Sequence, residues 1–268
     1  MQVKKFSELK ARFMKIKRRQ IAATVMVTLT ALLVVLAVFE FFRLIKVTNI
    51  VVKGESPYTN EEIIAFSGVE KGEYSYFFDK DDIETKLLDS APYLREVKVY
   101  RIFTRLVIKV KADTAKYYLQ ISDKTNDYYI LSADLRVLEC ESNIASIKEK
   151  KLIYLELPHL AICSVGRFIE YDEPEKCGYV KENLDYFSTD EYKDTITAIG
   201  LSSRFDNCYV DFYGKCRVIF GKPENMEMKI KKATDILGNF SEDENIRYLI
   251  IDVSDPDKAI YSMPESLD

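Results

Sequence analysis

Ile21 to Phe39 reads IAATVMVTLTALLVVLAVF, nineteen residues without a charge. At about 1.5 Å per residue such a helix reaches roughly 28 Å, close to the ~30 Å hydrocarbon core of a bilayer. Phe41, Phe42 and Arg43 suit its far interface. The run reads as a single transmembrane helix, so the rest of the chain must fold in water beside a membrane. It exceeds the roughly 7 to 15 apolar residues of a cleaved signal peptide, and no small-x-small site follows, so a retained signal anchor is expected.

Charge gives the direction. Residues 1–20 hold eight Lys/Arg (Lys4, Lys5, Lys10, Arg12, Lys15, Lys17, Arg18, Arg19) and one acid, Glu8. Cations on the N-terminal side keep that arm in the cytoplasm and send residues 46–268 outside. Contact with anionic lipid explains the arm without a specific cytoplasmic ligand. Beyond residue 20 there remain 31 basic and 42 acidic residues, a net charge of −11, which argues against a nucleic-acid-binding body.

Five cysteines, Cys140, Cys163, Cys177, Cys208 and Cys216, leave an odd thiol in a monomer and lack the tight spacing of a zinc site. In NCYVDFYGKCRVIF, a two-residue turn at Tyr213-Gly214 would set residue 211 opposite 216 and put Cys208 and Cys216 on opposite faces. No bridge between them is expected, and buried free thiols are.

After the anchor, Val47, Ile50 and Val52 form a short strand ending at Gly54. Thr59 with Glu62 is a capping box, Ile63, Ile64 and Phe66 supply apolar contacts, and Gly68 is a stop. A second helix starts near Asp79, repeats Ile83, Leu87 and Leu88 at helical spacing, and closes at Pro92. The period then changes to two: Val97 and Val99, then Leu106, Ile108 and Val110, predict a hairpin turning near Phe103-Thr104.

Strand, helix, helix, strand, strand is the order of a POTRA domain. Its place directly after one anchor resembles the FtsQ/DivIB family of bacterial cell-division proteins. VKGESPYTNEEI at 52–63 and PYLREVKVYRIFT at 92–104 carry the likeness, followed by KVKADTAKY, where Thr104, Lys111 and Thr114 stand for the family's common Pro, Glu and Pro. DYYILSADLRVLE at 127–139 is similar to a further family stretch, with Ala133-Asp134-Leu135 replacing its usual turn and glycine. YVDFYGKCRVIFGKPENMEMKIKKATDIL at 209–237 and IRYLIIDVSDPDKAIY at 246–261 resemble its later hairpin, helix and closing strand.

Independently of the family, KYYLQI, DYYIL, KLIYLEL, TITAIGL, NCYVDFY, CRVIF and IRYLIIDV predict a mostly antiparallel sheet. Two covering helices interrupt it, one near 174–187 and one from Pro223 to Gly238 with Met226, Ile230, Ala233 and Leu237 along a stripe. The fold class is α+β. The expected layout is a cytoplasmic arm 1–20, an anchor 21–45, a POTRA domain 46–115, a β domain 116–261 and a flexible tail 262–268.

No catalytic set emerges. His159 in LPHLAIC is the one histidine; Cys163 could share a helical face with it, but no second pair completes a metal site, and a structural imidazole is expected. Ser7 to Lys10 matches S-x-x-K by letter without its companion motifs. Gly214 and Gly221-Lys222 lack phosphate-loop spacing. The acids at 79–82 and 242–244 suit a helix N-terminus and a solvated loop, without the alternation and central glycine of a calcium loop. Neither cofactor nor metal nor small-molecule substrate is expected.

IRYLIIDV is bare of charge from Tyr248 to Ile251. If it closes the sheet at an edge, another chain can add a strand to it. The family resemblance implies that reading: a non-enzymatic divisome scaffold, enriched at the septum, binding FtsB/DivIC-like and FtsL-like bitopic partners through its C-terminal β domain. Carried onto this sequence, it implies partner contacts at Tyr248, Ile250, Asp252, Val253, Ile260 and Tyr261. The alternative is a membrane-anchored cell-wall enzyme or its regulator. A POTRA-bearing outer-membrane or transport chaperone would carry several copies or a barrel, and no second copy or barrel-length strand series is present.

Overall fold

The computed structural model describes residues 2–74, 78–121, 126–187, 195–202, 204, 206–240 and 248–264. Two compact units result, one comprising Met1–Gly54, Tyr58–Lys86 and Val97–Lys109, the other Glu55–Pro57, Leu87–Glu96 and Val110–Asp268. Six helices are present among the described residues. The acids at 242–244 and the last four residues of the expected tail lie outside the described residues.

Helix α1 (Gln2–Arg43) is continuous, and its apolar stretch Arg19–Phe41 is long enough to cross a membrane, with none of it buried by the protein. The connection to the folded body is short. Leu44 still donates its N–H to Glu40 O and Phe41 O (3.2 and 3.3 Å), while Lys46 already bridges Tyr74 and Val47 donates to Glu73 O at 2.8 Å. Ile45 alone separates helix from body.

The strand-helix-helix-strand-strand order follows as expected: β1 (Asn49–Glu55), α2 (Asn60–Ser67), α3 (Lys80–Ser90), β2 (Leu94–Ile102) and β3 (Arg105–Ala112), with sheet order β1-β3-β2. The caps read from sequence are made. Thr59 Oγ1 accepts from Glu62 N (3.3 Å), Thr59 N donates to the Glu62 carboxylate (2.8 Å), and Gly68 takes a left-handed φ of 67°. Asp79 Oδ1 accepts from Asp81 N at 3.0 Å, opening α3. Strand β2 lies at a sheet edge, and Glu84 of α3 accepts from Val99 N at 2.7 Å. A carboxylate thus occupies part of a backbone edge that would otherwise recruit another strand.

The larger sheet has nine strands in the order β12-β11-β10-β9-β8-β7-β4-β5-β6. They are β4 (Ala115–Gln120), β5 (Tyr128–Ser132), β6 (Val137–Glu141), β7 (Ile153–Glu156), β8 (Ile196–Leu201), β9 (Cys208–Phe212), β10 (Cys216–Gly221), β11 (Leu249–Asp252) and β12 (Ile260–Ser262). Five neighbouring pairs are antiparallel; β4–β7, β7–β8 and β10–β11 are parallel. Parallel neighbours need crossovers, and two are helical. α5 (Pro174–Tyr186) joins β7 to β8, and α6 (Met226–Phe240) joins β10 to β11. Both expected helices therefore exist for a topological reason. Val180 and Leu184 of α5, and Met226 and Ala233 of α6, enter one core with Tyr117, Leu155, Ile199, Val210, Val218, Phe220 and Ile251.

Three local expectations need correction. Helix α6 starts at Met226 rather than Pro223, because Asn225 turns left-handed at φ 56° just before it. A short helix α4 (Ile144–Glu149), capped by the Asn143 side chain on Ala145 N, was not foreseen. The β9–β10 turn takes three residues, so Phe212 rather than Asp211 faces Cys216. Cys208 and Cys216 consequently share the core face instead of opposite faces. Cys208 pairs with Gly221, five residues beyond Cys216 along β10, roughly 16 Å at the rise of a strand, so the thiols are out of bonding reach. These two thiols are buried, but Cys163 and Cys177 are half-buried and Cys140 is exposed, contrary to the expectation of buried thiols throughout.

Candidate functional site

The C-terminal strands are built from a buried anchor outward. Lys229 of α6 is buried, and its Nζ donates to Phe220 O and Lys222 O, both at 2.8 Å, closing the end of β10. Burial lowers its pKa, partly offset by nearby Glu224 and Asp252. At Gly221 (φ 66°) a Cβ would stand 2.8 Å from Ser254 Cβ, so glycine permits the chain leaving β11 to pass close by. That chain is then tied down. Asp252 Oδ1 accepts from Ser254 N (2.9 Å), Asp255 Oδ1 from Asp257 N (2.9 Å), and Pro256 O from Lys232 Nζ of α6. The turn delivers β12 against β11.

This overturns the edge placement of the closing strand. Leu249–Asp252 lies between β10 on one side, Ile250 opposite Arg217, and β12 on the other, Ile250 opposite Ser262. Val253 is buried, donates its N–H to Ile219 O at 2.9 Å and is no surface residue. The strand ending the sheet is β12, whose Ile260 and Tyr261 are 67% and 57% exposed, followed by exposed Met263.

The alternation of strands divides the six nominated residues. Tyr248, Ile250 and Asp252, all half-buried, share a face with Ile260, which pairs with Asp252. Tyr261 pairs with the core residue Ile251 and stands on the other face. On the first face, next to Ile250, Arg217 makes a two-pronged pair with Asp211 (2.8 Å on each arm) and lies 4.2 Å from the Tyr209 ring centre. The Asp211 carboxylate raises the Arg217 pKa. The Tyr209 hydroxyl in turn donates to Glu156, and its phenol pKa is raised by burial first and then by Glu156. Sequence reading missed this paired surface and Met263. The signal available was Asp211 and Arg217 flanking one turn, legible only once that turn's length is known.

Chemistry is sparse elsewhere. His159 is exposed in a loop rather than structural, and no helix carries it and Cys163 on one face. It lines a depression with Leu119, Gln120, Ile121, Leu157, Pro158 and Leu160. Among the described residues no group of three or more His, Cys, Asp or Glu is placed to hold a metal ion.

Residues 45–111 match the family of POTRA domains of FtsQ type. The smaller β-α-α-β-β body is therefore an FtsQ-type POTRA domain, and the large sheet, beginning at Ala115, stands outside the match. No curated protein matches the chain. The apolar helix and this domain together fit a single-pass membrane protein of the cell-division type.

Proposed function

We propose that this chain is a non-enzymatic, FtsQ/DivIB-like scaffold of the bacterial divisome. Its arm 1–20 is cytoplasmic, 21–45 anchors it, and a POTRA domain and a β domain work outside the membrane; the expected bounds 46–115 and 116–261 each shift by one residue, because Ala115 opens β4 and Ser262 closes β12, which leaves 263–268 as tail. It gathers at the septum and holds FtsB/DivIC-like and FtsL-like bitopic partners. The observation that carries the reading is the FtsQ-type match at 45–111 directly behind an apolar helix of crossing length.

Partner capture is assigned to strand addition at β12, with Ile260 and Tyr261 as side-chain contacts and Tyr248, Ile250 and Asp252 as their neighbours on β11. Val253 supports the strand from within. The supporting geometry is a terminal strand, among the described residues, bearing exposed apolar side chains on both faces. Backbone pairing supplies affinity in this mode and alternate side chains supply specificity. Confinement of both partners to one membrane raises their effective concentration, so a short strand suffices.

Photo-crosslinkers placed at 260 and 261 in living cells test this directly. Adducts with small bitopic coiled-coil proteins are expected from both positions, and the adduct from 261 is expected to be lost on Ile260→Asp. A fluorescent fusion that stays evenly peripheral and never enriches at midcell would overturn septal work. Turnover of peptidoglycan fragments by the purified chain would favour the enzyme alternative.

A further inference from the structure

The tip of the β2–β3 hairpin is bonded to the residues that leave the membrane helix. Thr104 O accepts from Thr48 N at 2.8 Å, and on the other side of the same segment Gly72 N donates to Val47 O at 2.7 Å and Lys46 bridges Tyr74. Thr48 is five residues from Arg43, the end of α1, and so within about 18 Å of it even if fully extended. At this tip Ile102 and Phe103 are 58% and 68% exposed, and Leu44 and Tyr74 are exposed as well. Phe103 holds φ at 50°, a left-handed conformation that costs a bulky residue about 1–2 kcal/mol and that asparagine or glycine would adopt more readily. Backbone strain at a position that holds a large apolar ring exposed is the kind of outlier from which a functional role is inferred. The same rim carries exposed Lys46, Lys71 and Arg105, against two exposed acids, Glu70 and Glu73, on the neighbouring segment.

We propose that this hairpin tip is a membrane-contact wedge: Ile102 and Phe103 enter the boundary between headgroups and acyl chains, and Lys46, Lys71 and Arg105 lie against anionic headgroups. The inference rests on the reading of α1 as a membrane span. Apolar side chains with a basic rim are the combination that binds a bilayer interface in its plane, apolar burial adding to electrostatic attraction. The headgroup layer occupies roughly 5–8 Å on each side of the hydrocarbon core, a depth the short connection keeps within reach of the tip. The wedge would fix the tilt of the POTRA domain against the bilayer.

The chain has no tryptophan, so one introduced indole reports alone. Full-length protein carrying Phe103→Trp, Ile102→Trp or Phe39→Trp is placed in liposomes of phosphatidylcholine and phosphatidylglycerol whose acyl chains are brominated near the headgroup or near the terminus. The expected result is blue-shifted emission from positions 102 and 103, quenched by shallow bromines and not by deep ones. Replacing phosphatidylglycerol with phosphatidylcholine should weaken that quenching. Quenching at position 39 with water-like, unquenched emission at both 102 and 103 would overturn the wedge and leave the span standing. Absence of quenching at position 39 would overturn the span and the wedge with it.

Discussion

Gly200 lies under an aromatic ring: a Cβ there would meet Tyr209 Cε1 at 2.0 Å, and that ring is held by Glu156 and by the Arg217 guanidinium. Gly200→Ala must push the ring out and break those contacts together, and overpacking of this kind costs about 1–3 kcal/mol. A lowered denaturant midpoint at unchanged slope is the expected reading. The thiols differ by their surroundings in the same way. Burial pushes Cys208 and Cys216 up to about 12, and burial first, with Cys140 second, does the same for Cys163. The Cys140 thiol is raised as well, by burial first and then by Asp127, but it alone is exposed, so alkylation of the native chain at neutral pH should label Cys140 first through its accessibility and spare Cys208 and Cys216, as peptide mass spectrometry would report. At the capping box, the Thr59 backbone N–H lowers the Glu62 pKa from its ordinary 4.5. A carboxylate with a lowered folded value stabilises the fold above its unfolded pKa and loses that contribution as pH falls through the folded one. Glu62→Gln should flatten this acid-side dependence in pH-resolved melts.

Among the elements, β11 carries the clearest test of the revised edge. Paired on both sides, it cannot accept proline at Ile251 without losing a ladder bond in the core, which costs about 1–3 kcal/mol for the stranded group alone. Ile251→Pro should lower the melting temperature of the whole chain, whereas Ile260→Asp on β12 should leave it near wild type and act on partner capture. Sequence periodicity was sufficient for the elements that repeat. The capping box, the Asp79 start, the β2–β3 hairpin and α5 all announce themselves through several residues in register. Strand β12 has three residues and α4 has six, too few for a period to show, and β12 is what decides the edge. The face assignment of Cys208 failed for a related reason: one extra turn residue, Lys215, reverses every side chain beyond it. Parallel pairing of β10 with β11 was equally hidden, since it depends on α6 returning the chain rather than on any pattern within either strand.

At the scale of the whole molecule, on the proposed function, removal of residues 2–43 should release the remaining body from the membrane fraction and abolish the midcell enrichment expected of the full chain while its thermal melt persists, because both sheets draw their strands from residue 49 onward. Fractionation and fluorescence imaging of the truncated fusion check this. The one-residue joint at Ile45 has a mechanical corollary. With Leu44 still coiled into the shaft and Val47 already seated, little more than the φ and ψ of Ile45 is left to absorb rotation of the anchor about its long axis, so a larger turn of the shaft would be passed on to the folded body.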